Sequence, residues 1–301
     1  MKWGRRARQA AVKLRFDYRE KMGYDKIEKE WKGGRGMFLR CPICMGELNQ
    51  DGKQWRCGGG HSFDVARQGY VNLLPVQHKH SRQPGDTREQ VLSRRAFLES
   101  GAYTPIVETV REAAQRWAEG PVLDVGCGEG YYAVQVAQGL HAPLVGLDIS
   151  KEAVRCAAAK YKNAAWICGT AAHLPIADEC MGLVMSMFAL TMPEEFARVL
   201  KEKGIFIQVL AAEDHLLGLK SIIYPELHHR EKNSVPDVPG FERLESVPVR
   251  FSFTAEGEQV QNLLSMTPHF WRISAEGAKR LRETERLEDT ASCVVNVFRK
   301  K

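Results

Sequence analysis

Val122-Leu-Asp124-Val-Gly126-Cys-Gly128-Glu129-Gly130 is the stretch on which the reading of this chain turns. Val122–Val125 is a short apolar run of the kind that makes a strand buried on both faces. The alternating glycines that follow let the backbone turn sharply and keep side chains out of the space beside it. Tyr131 and Tyr132 then open a helix. Working outward, Leu144-Val-Gly-Leu-Asp148 predicts a second strand ending in an acid, 24 residues past Asp124. An acid in that position is placed to accept both hydroxyls of a ribose. Further apolar runs at Ala165–Cys168, Gly182–Ser186 and Ile205–Leu210 are separated by helical stretches at Lys151–Tyr161 and Pro193–Glu202. Lys203-Gly204 marks a turn into the fifth strand, and Val247–Phe253 with Ser292–Phe298 would complete an antiparallel edge. Such alternation predicts an α/β fold with a Rossmann-like, mostly parallel sheet covered on both faces.

The order of the glycines selects the ligand. A dinucleotide turn reads G-x-G-x-x-G, whereas this one reads Asp124-x-Gly126-x-Gly128-x-Gly130. Here no pyrophosphate needs the helix amino terminus, and the acid ahead of the first glycine orders the loop. The series strand, turn, helix, strand, acid looks like that of S-adenosylmethionine (SAM) methyltransferases, with Asp124, Gly126, Gly128, Gly130 and Asp148 on the cofactor.

Upstream, Cys41-x2-Cys44-x12-Cys57-x3-His61 has four-ligand metal spacing. Two residues between Cys41 and Cys44 allow a tight turn to aim both sulfurs at one ion. Cys57 and His61 follow from a hairpin whose turn is marked by Asn49, Asp51 and Gly52. Four protein ligands of this kind suit a structural zinc ion. So short a module buries too little to fold alone, so the metal would supply its folding energy. Cys127, Cys156, Cys168, Cys180 and Cys293 show no ligand spacing and read as small buried apolar residues. The competing readings are two disulfides and reduced cysteines without metal; disulfides require an oxidising compartment, which no signal-peptide pattern supports.

The chain has 301 residues and a net charge of +6, room for one large domain and a small module. No apolar stretch approaches the ~20 residues that cross a bilayer, so we expect a cytoplasmic protein with no membrane partner. The charge is uneven. Residues 1–36 hold 12 Lys/Arg against 5 Asp/Glu, which leaves the remainder close to neutral. That segment reads either as a basic arm for phosphates or as the product of a start codon upstream of Met37. We therefore divide the chain into an extension (1–36), a zinc finger (37–68), a linker (69–104) and a methyltransferase domain (105–301).

Several longer segments specify more. Gly69-Tyr-Val-Asn-Leu-Leu-Pro-Val-Gln-His78-Lys, Pro84-Gly-Asp86, Arg94-Arg-Ala-Phe97-Leu, His215-Leu-Leu-Gly-Leu-Lys220 and Met266-Thr-Pro-His-Phe-Trp271 resemble the bacterial 23S ribosomal RNA guanine-N1 methyltransferases. This group contains the tylosin-resistance enzymes. The resemblance runs from Met37 to the carboxyl terminus. It implies that Cys41, Cys44, Cys57 and His61 hold zinc in a finger that contacts RNA. It further implies that Tyr103, Gly128, Glu129 and His215 contact the cofactor, that the target is guanine N1 in the hairpin 35 loop of 23S rRNA, and that the enzyme is a homodimer. The chain departs from the pattern in three places. Phe188-Ala189-Leu190 replaces an aromatic followed by Ala-Pro, Gly182 replaces an acid ahead of the fourth strand, and Thr170 replaces an acid after the third.

Guanine N1 carries a proton at neutral pH and is paired in a helix, so the target base must be unpaired or flipped and must lose that proton. A general base would assist. His215 is the first candidate for contact with cofactor or target, followed by Glu129, His173 and His269; the histidines read equally as packed or solvated residues. Phe188, Phe270 and Trp271 are candidates to stack on the base, and Trp271 reads equally as core. One of Tyr131 and Tyr132 packs while the other lines the site. Lys79, Arg82, Arg88, Arg94 and Arg95 in the linker are either a solvated face or a track for phosphates. Two alternatives remain at this level: a small-molecule methyltransferase, and a SAM-binding RNA assembly factor without transfer activity.

Overall fold

The computed structural model describes residues 38–78, 84–227 and 232–301. The basic extension of residues 1–36 and the linker cations Lys79 and Arg82 lie outside the described residues. The first element is an antiparallel sheet of β1 (Leu48–Asp51), β2 (Gln54–Cys57) and β3 (Ser62–Asp64). Asn49 and Asp51 pair with Arg56 and Gln54 inside it, so they are strand residues, not turn residues. The reversal falls at Gly52, whose φ of 59° is the left-handed conformation a tight hairpin requires.

This finger is part of the main core. The Arg40 amide donates to the Pro175 carbonyl (2.9 Å) and the Ala177 amide to the Phe38 carbonyl (2.7 Å). Phe38, Leu39, Leu48 and Trp55 are buried against Leu174, Ile176 and one face of the large sheet through Leu123, Val145 and Ile167. The connection between residues 169 and 180 holds no helix, and the finger covers the face that such a helix would shield.

The segment expected to be a linker is also built into the body. It begins with β4 (Tyr70–Asn72) and contains α1 (Arg88–Glu99), ahead of α2 (Thr104–Trp117). There follow β5 (Val122–Val125), α3 (Tyr131–Leu140), β6 (Leu144–Asp148), α4 (Lys151–Lys160), β7 (Ala165–Cys168), β8 (Met181–Met187), α5 (Pro193–Val199) and β9 (Leu200–Ala211). The chain ends with α6 (Leu217–Ile223), β10 (Phe241–Glu256), α7 (Glu258–Ser265), α8 (Ala275–Arg282) and β11 (Arg286–Lys300). One eight-stranded sheet results, in the order β10-β11-β9-β8-β5-β6-β7-β4. Pairings from β9 to β4 are parallel, and β11 runs antiparallel between β9 and β10. The expected mostly parallel sheet with an antiparallel edge is present.

Several boundaries differ from expectation. The helix begun at Pro193 stops at Val199, because Leu200 already pairs with Met181 and the backbone of 200–202 joins the sheet. Lys203, at φ 58°, sits in a register shift within β9 and not in a turn ahead of it. The antiparallel arm is longer than its apolar centres, since β10 extends through exposed Glu242 and Arg243 at one end and Glu256 at the other.

Packing explains the glycine pattern more closely than turn geometry alone. Trp166 is buried beneath the loop, its indole N–H donating to the Tyr161 carbonyl (2.8 Å). A Cβ at Gly130 would stand 2.5 Å from that ring, and one at Gly146 would stand 2.3 Å away. Gly182 is similarly constrained: a Cβ there would meet the Glu119 carbonyl oxygen at 1.7 Å. The acid expected ahead of β8 is therefore excluded by the closeness of the turn before β5.

The carboxyl ends of the parallel strands share one edge. β10 runs parallel to β9, both being antiparallel to β11, so Ala211 and Glu256 end on the edge where Gly126 and Asp148 lie. The helices after those ends, α6, α7 and α8, form a cap over that edge, and α1 packs against α7. Asp289 satisfies the amino end of α6, accepting from the amides of Gly218 (2.9 Å) and Leu219 (2.7 Å).

Candidate functional site

The four predicted metal ligands converge. Their ligand atoms all lie within 4.8 Å of one another. The Cys44 and Cys57 sulfurs are 3.7 Å apart, and His61 Nδ1 lies 3.5 Å from Cys41 Sγ and 3.3 Å from Cys57 Sγ. Zn–S and Zn–N bonds of about 2.3 and 2.0 Å at tetrahedral angles require edges of roughly 3.8 and 3.6 Å, so these side chains fit zinc. Cys41 comes from the turn after the docking strand and Cys57 from the end of β2, with His61 in the loop that leads to β3. All four positions are protein ligands, which makes the centre structural.

At the other site, β5 delivers Asp124 into the interior beneath the glycine turn. Burial pushes its carboxyl up to about 8, and the neighbouring Asp148 and Glu129 add to the effect. Its Oδ1 has no hydrogen-bond partner among the described residues. Asp148, at the end of β6, accepts from the Gly128 amide (2.9 Å) and the Ser150 amide (2.7 Å), which ties the turn to the second strand. Gly126, Gly128 and Gly130 all have positive φ (80°, 55° and 85°). Burial raises the Glu129 and Asp148 carboxyls as well, and Arg94 opposes the rise in both. Two buried acids, Asp124 and Glu129, with the half-buried Asp148 beside them favour a cationic ligand, and SAM carries an ammonium and a sulfonium. Tyr103, enclosed at the start of α2 by Phe97, Phe251 and Phe253, presents a second buried unpartnered atom, its hydroxyl. Those orphaned groups fit a bound nucleoside-amino-acid cofactor.

His215 follows β9 on the same edge. Its Nδ1 accepts the Ser292 amide (3.1 Å), its ring stacks on Phe188 (6.0 Å between centroids) and it meets the Tyr103 ring edge-on (6.3 Å). Burial and the charges of Lys220 and Lys232 bring the imidazole down to about 4. A neutral ring with Nδ1 accepting carries its proton on Nε2. Neither nitrogen is then free to take a proton, so His215 is a hydrogen-bond donor and not a base.

Other candidates separate clearly. Phe188 holds φ 54°, a conformation rare outside glycine, and is 38% exposed at the mouth of the site. Leu190 replaces the expected proline, and the loop is held instead by the Ser186 hydroxyl donating to the Leu190 carbonyl (3.1 Å). Trp271 is 66% exposed in a 3-10 turn, Pro268–Trp271, which removes the core reading; Phe270 packs edge-on against it. His173 is exposed, Thr170 accepts the Ala172 amide, and Tyr131 is buried while Tyr132 is half-buried. Arg94 pairs with Asp86 (2.5 Å) and Arg95 with Glu99 (2.7 Å), so both guanidinium groups are engaged by acids of the same segment; Arg88 is exposed. Sequence reasoning missed the Asp86–Arg94 pair as a roof on the turn. Asp86 also accepts from the Ser150 hydroxyl through its carbonyl, and Arg94 lies against Gly128. It also missed the bond between Tyr224 Oη and His269 Nδ1 (2.8 Å). Nothing in spacing connects residues so far apart.

Two family models match the chain: "RlmA, N-terminal" over residues 39–82 and "Methyltransferase domain" over residues 122–204. The 23S rRNA (guanine(748)-N(1))-methyltransferase of Streptomyces fradiae is 32% identical over 256 residues, covering 82% of this chain and 90% of that protein. YxjB of Bacillus subtilis (strain 168), named provisionally for 23S rRNA guanine-N(1) methyl transfer, is 28% identical over 84% of this chain and 94% of its own length. A Micromonospora griseorubida protein with the same provisional name is 35% identical over 60% of this chain and 68% of its own. A zinc ribbon docked on a SAM-type sheet, together with likeness along most of both lengths, places the chain in the 23S rRNA guanine-N1 methyltransferase family.

Proposed function

We propose that this chain transfers the methyl group of SAM to N1 of a guanine in the hairpin 35 loop of 23S rRNA, acting in the cytoplasm as a homodimer. The observation that carries the reading is the Streptomyces fradiae relative, whose name specifies N1 of guanine 748 of 23S rRNA and which covers 82% of this chain. The orphaned Asp124 and Tyr103 groups support the cofactor, and the finger supports a macromolecular substrate.

SAM supplies an electrophilic methyl group, so the protein's task is alignment and control of charge. Asp148 orders the turn and keeps two lone-pair positions for a ribose. Asp124, held protonated near neutral pH by burial, gains negative charge in a water-poor setting when a cationic ligand draws off its proton. His215 offers Nε2–H beside Phe188, whose ring is placed at the mouth to pack against an extruded base. The finger holds a fixed surface for RNA at one side of the sheet. Among the described residues no helix is long and apolar enough to cross a membrane.

Primer extension on unmodified 23S rRNA tests the assignment. A methyl on N1 removes a Watson–Crick donor, so reverse transcriptase is expected to halt one nucleotide before the modified guanine, in hairpin 35 and only with SAM. A stop elsewhere would move the target. No stop, with SAM binding intact, would remove the guanine-N1 assignment.

A further inference from the structure

The cap over the cofactor edge contains a polar arrangement that joins α6 to the turn after α7. Tyr224 Oη and His269 Nδ1 are 2.8 Å apart, and their rings meet at 76° with centroids 5.5 Å apart. Lys220 lies one turn earlier on α6, with the Tyr224 amide donating to its carbonyl (2.9 Å), so both side chains rise from the same helix face. Among the described residues the Lys220 ammonium donates to the Glu213 carbonyl (3.4 Å), and the residue is half-buried. Burial and the charge of Lys232 lower the proton affinity of that ammonium, outweighing Asp289, Asp214 and Glu213, which act on it from nearby.

The supports around the pair are rigid. Asp289 caps the amino end of α6, and at the other end Arg280 Nε donates to the Ile222 carbonyl (2.7 Å). Gly277 of α8 abuts that end so tightly that a Cβ would stand 2.3 Å from the Ile223 carbonyl oxygen. On the other side, Arg94 reaches the Met266 carbonyl (3.5 Å) while lying against Gly128 of the glycine turn. The 3-10 turn bearing His269 is thereby linked to the cofactor loop and to α6 at once.

Resting on the guanine-N1 reading, we propose that His269 Nε2–H, set by Tyr224 donating into Nδ1, and the Lys220 ammonium together read the O6/N7 edge of the target guanine. Guanine presents two acceptors on that edge, whereas adenine presents an N–H donor beside N7. A pocket of donors alone accepts the first and leaves the second with two donors facing each other. The same donors also steady the negative charge that gathers on O6 as N1 gives up its proton, which makes them specificity and rate determinants together. Burial and the charges of Lys220, Lys232 and Arg272 depress the His269 imidazole to about 4, so the ring is a neutral donor at pH 7. Tyr224 is then a positioning residue: it selects which nitrogen carries the proton.

The test uses the full-length enzyme on unmodified 23S rRNA, with single-turnover transfer, RNA affinity and nitrogen-15 NMR of the His269 ring as readouts. His269→Leu and Lys220→Met are expected to slow transfer about 10- to 100-fold, the cost of one good base-edge contact. RNA affinity is expected to stay within roughly twofold, because phosphate contacts dominate it. His269→Gln keeps an N–H at the Nε2 position and should recover most of the rate, as should Lys220→Arg. The wild-type spectrum should show the neutral Nε2–H tautomer at pH 7, and Tyr224→Phe should mix in the other tautomer. His269→Leu at wild-type rate, His269→Gln no faster than His269→Leu, or a wild-type Nδ1–H ring would each overturn the proposal. A wild type that makes no N1-methylguanine removes the underlying reading, whereas a wild type that does, beside an unaffected His269→Leu, removes this proposal alone.

Discussion

Asp124 is the residue at which cofactor binding and proton binding meet. Its carboxyl rises from an ordinary 3.8 to about 8 when buried. Between those values the folded protein holds a proton that the unfolded chain has released, so this group lowers stability as pH climbs from about 4 towards 8, and its effect is constant above that. A cationic ligand reverses the preference, and SAM binding at pH 7 is expected to release close to one proton. Calorimetry in phosphate and in Tris should therefore return different enthalpies, and SAM affinity should strengthen up to about tenfold per pH unit between pH 6 and 8. Asp124→Asn should abolish both effects. Equal enthalpies for the wild type in the two buffers would show that Asp124 has no part in cofactor binding. His215 shows the limit of sequence reading at this scale. The sequence displays an imidazole, but only the Ser292 amide donating to Nδ1 reveals that the ring proton sits on Nε2, which leaves that nitrogen as the donor.

At the level of elements, β5, β6 and β7 occupy the expected residues because buried strands are continuous apolar runs closed by glycine or acid. The four metal ligands were legible for a similar reason, since the spacing encodes the turn. What escaped reading were elements whose local chemistry argues against them. The start of β9 reads Leu-Lys-Glu-Lys, a helical composition recruited into the sheet by pairing with Met181, and the three residues of β4 are too few to show a period. The Tyr224–His269 contact depends on α6 and the turn after α7 meeting in space. The finger is the element with least core of its own, and zinc is expected to hold it. Cys57→Ser or a strong chelator should drop zinc below one per chain and open residues 38–64 to protease while the parallel sheet stays protected. Full protection without metal would show that docking alone sustains the finger.

For the molecule as a whole, the finger docks on one face of the sheet and the cap lies over its carboxyl edge. The proposed homodimer predicts a scattering mass of twice 33.9 kDa without RNA present. A mass of 33.9 kDa at working concentration would rule it out. The docking of Phe38 and Arg40 on the backbone of Pro175 and Ala177 has a further consequence, for the order in which the protein takes shape as it is made. Zinc can close the finger once His61 has been synthesised, but its berth is translated more than a hundred residues later. At roughly 5–20 residues per second that interval is on the order of ten seconds. During it, Phe38, Leu39 and Trp55 lack the Leu174 and Ile176 part of their packing, and the finger waits with some of its apolar side bare. The nascent chain thus passes through a sticky adolescence whose length is set by gene distance, and early metal capture limits how much of it is unstructured.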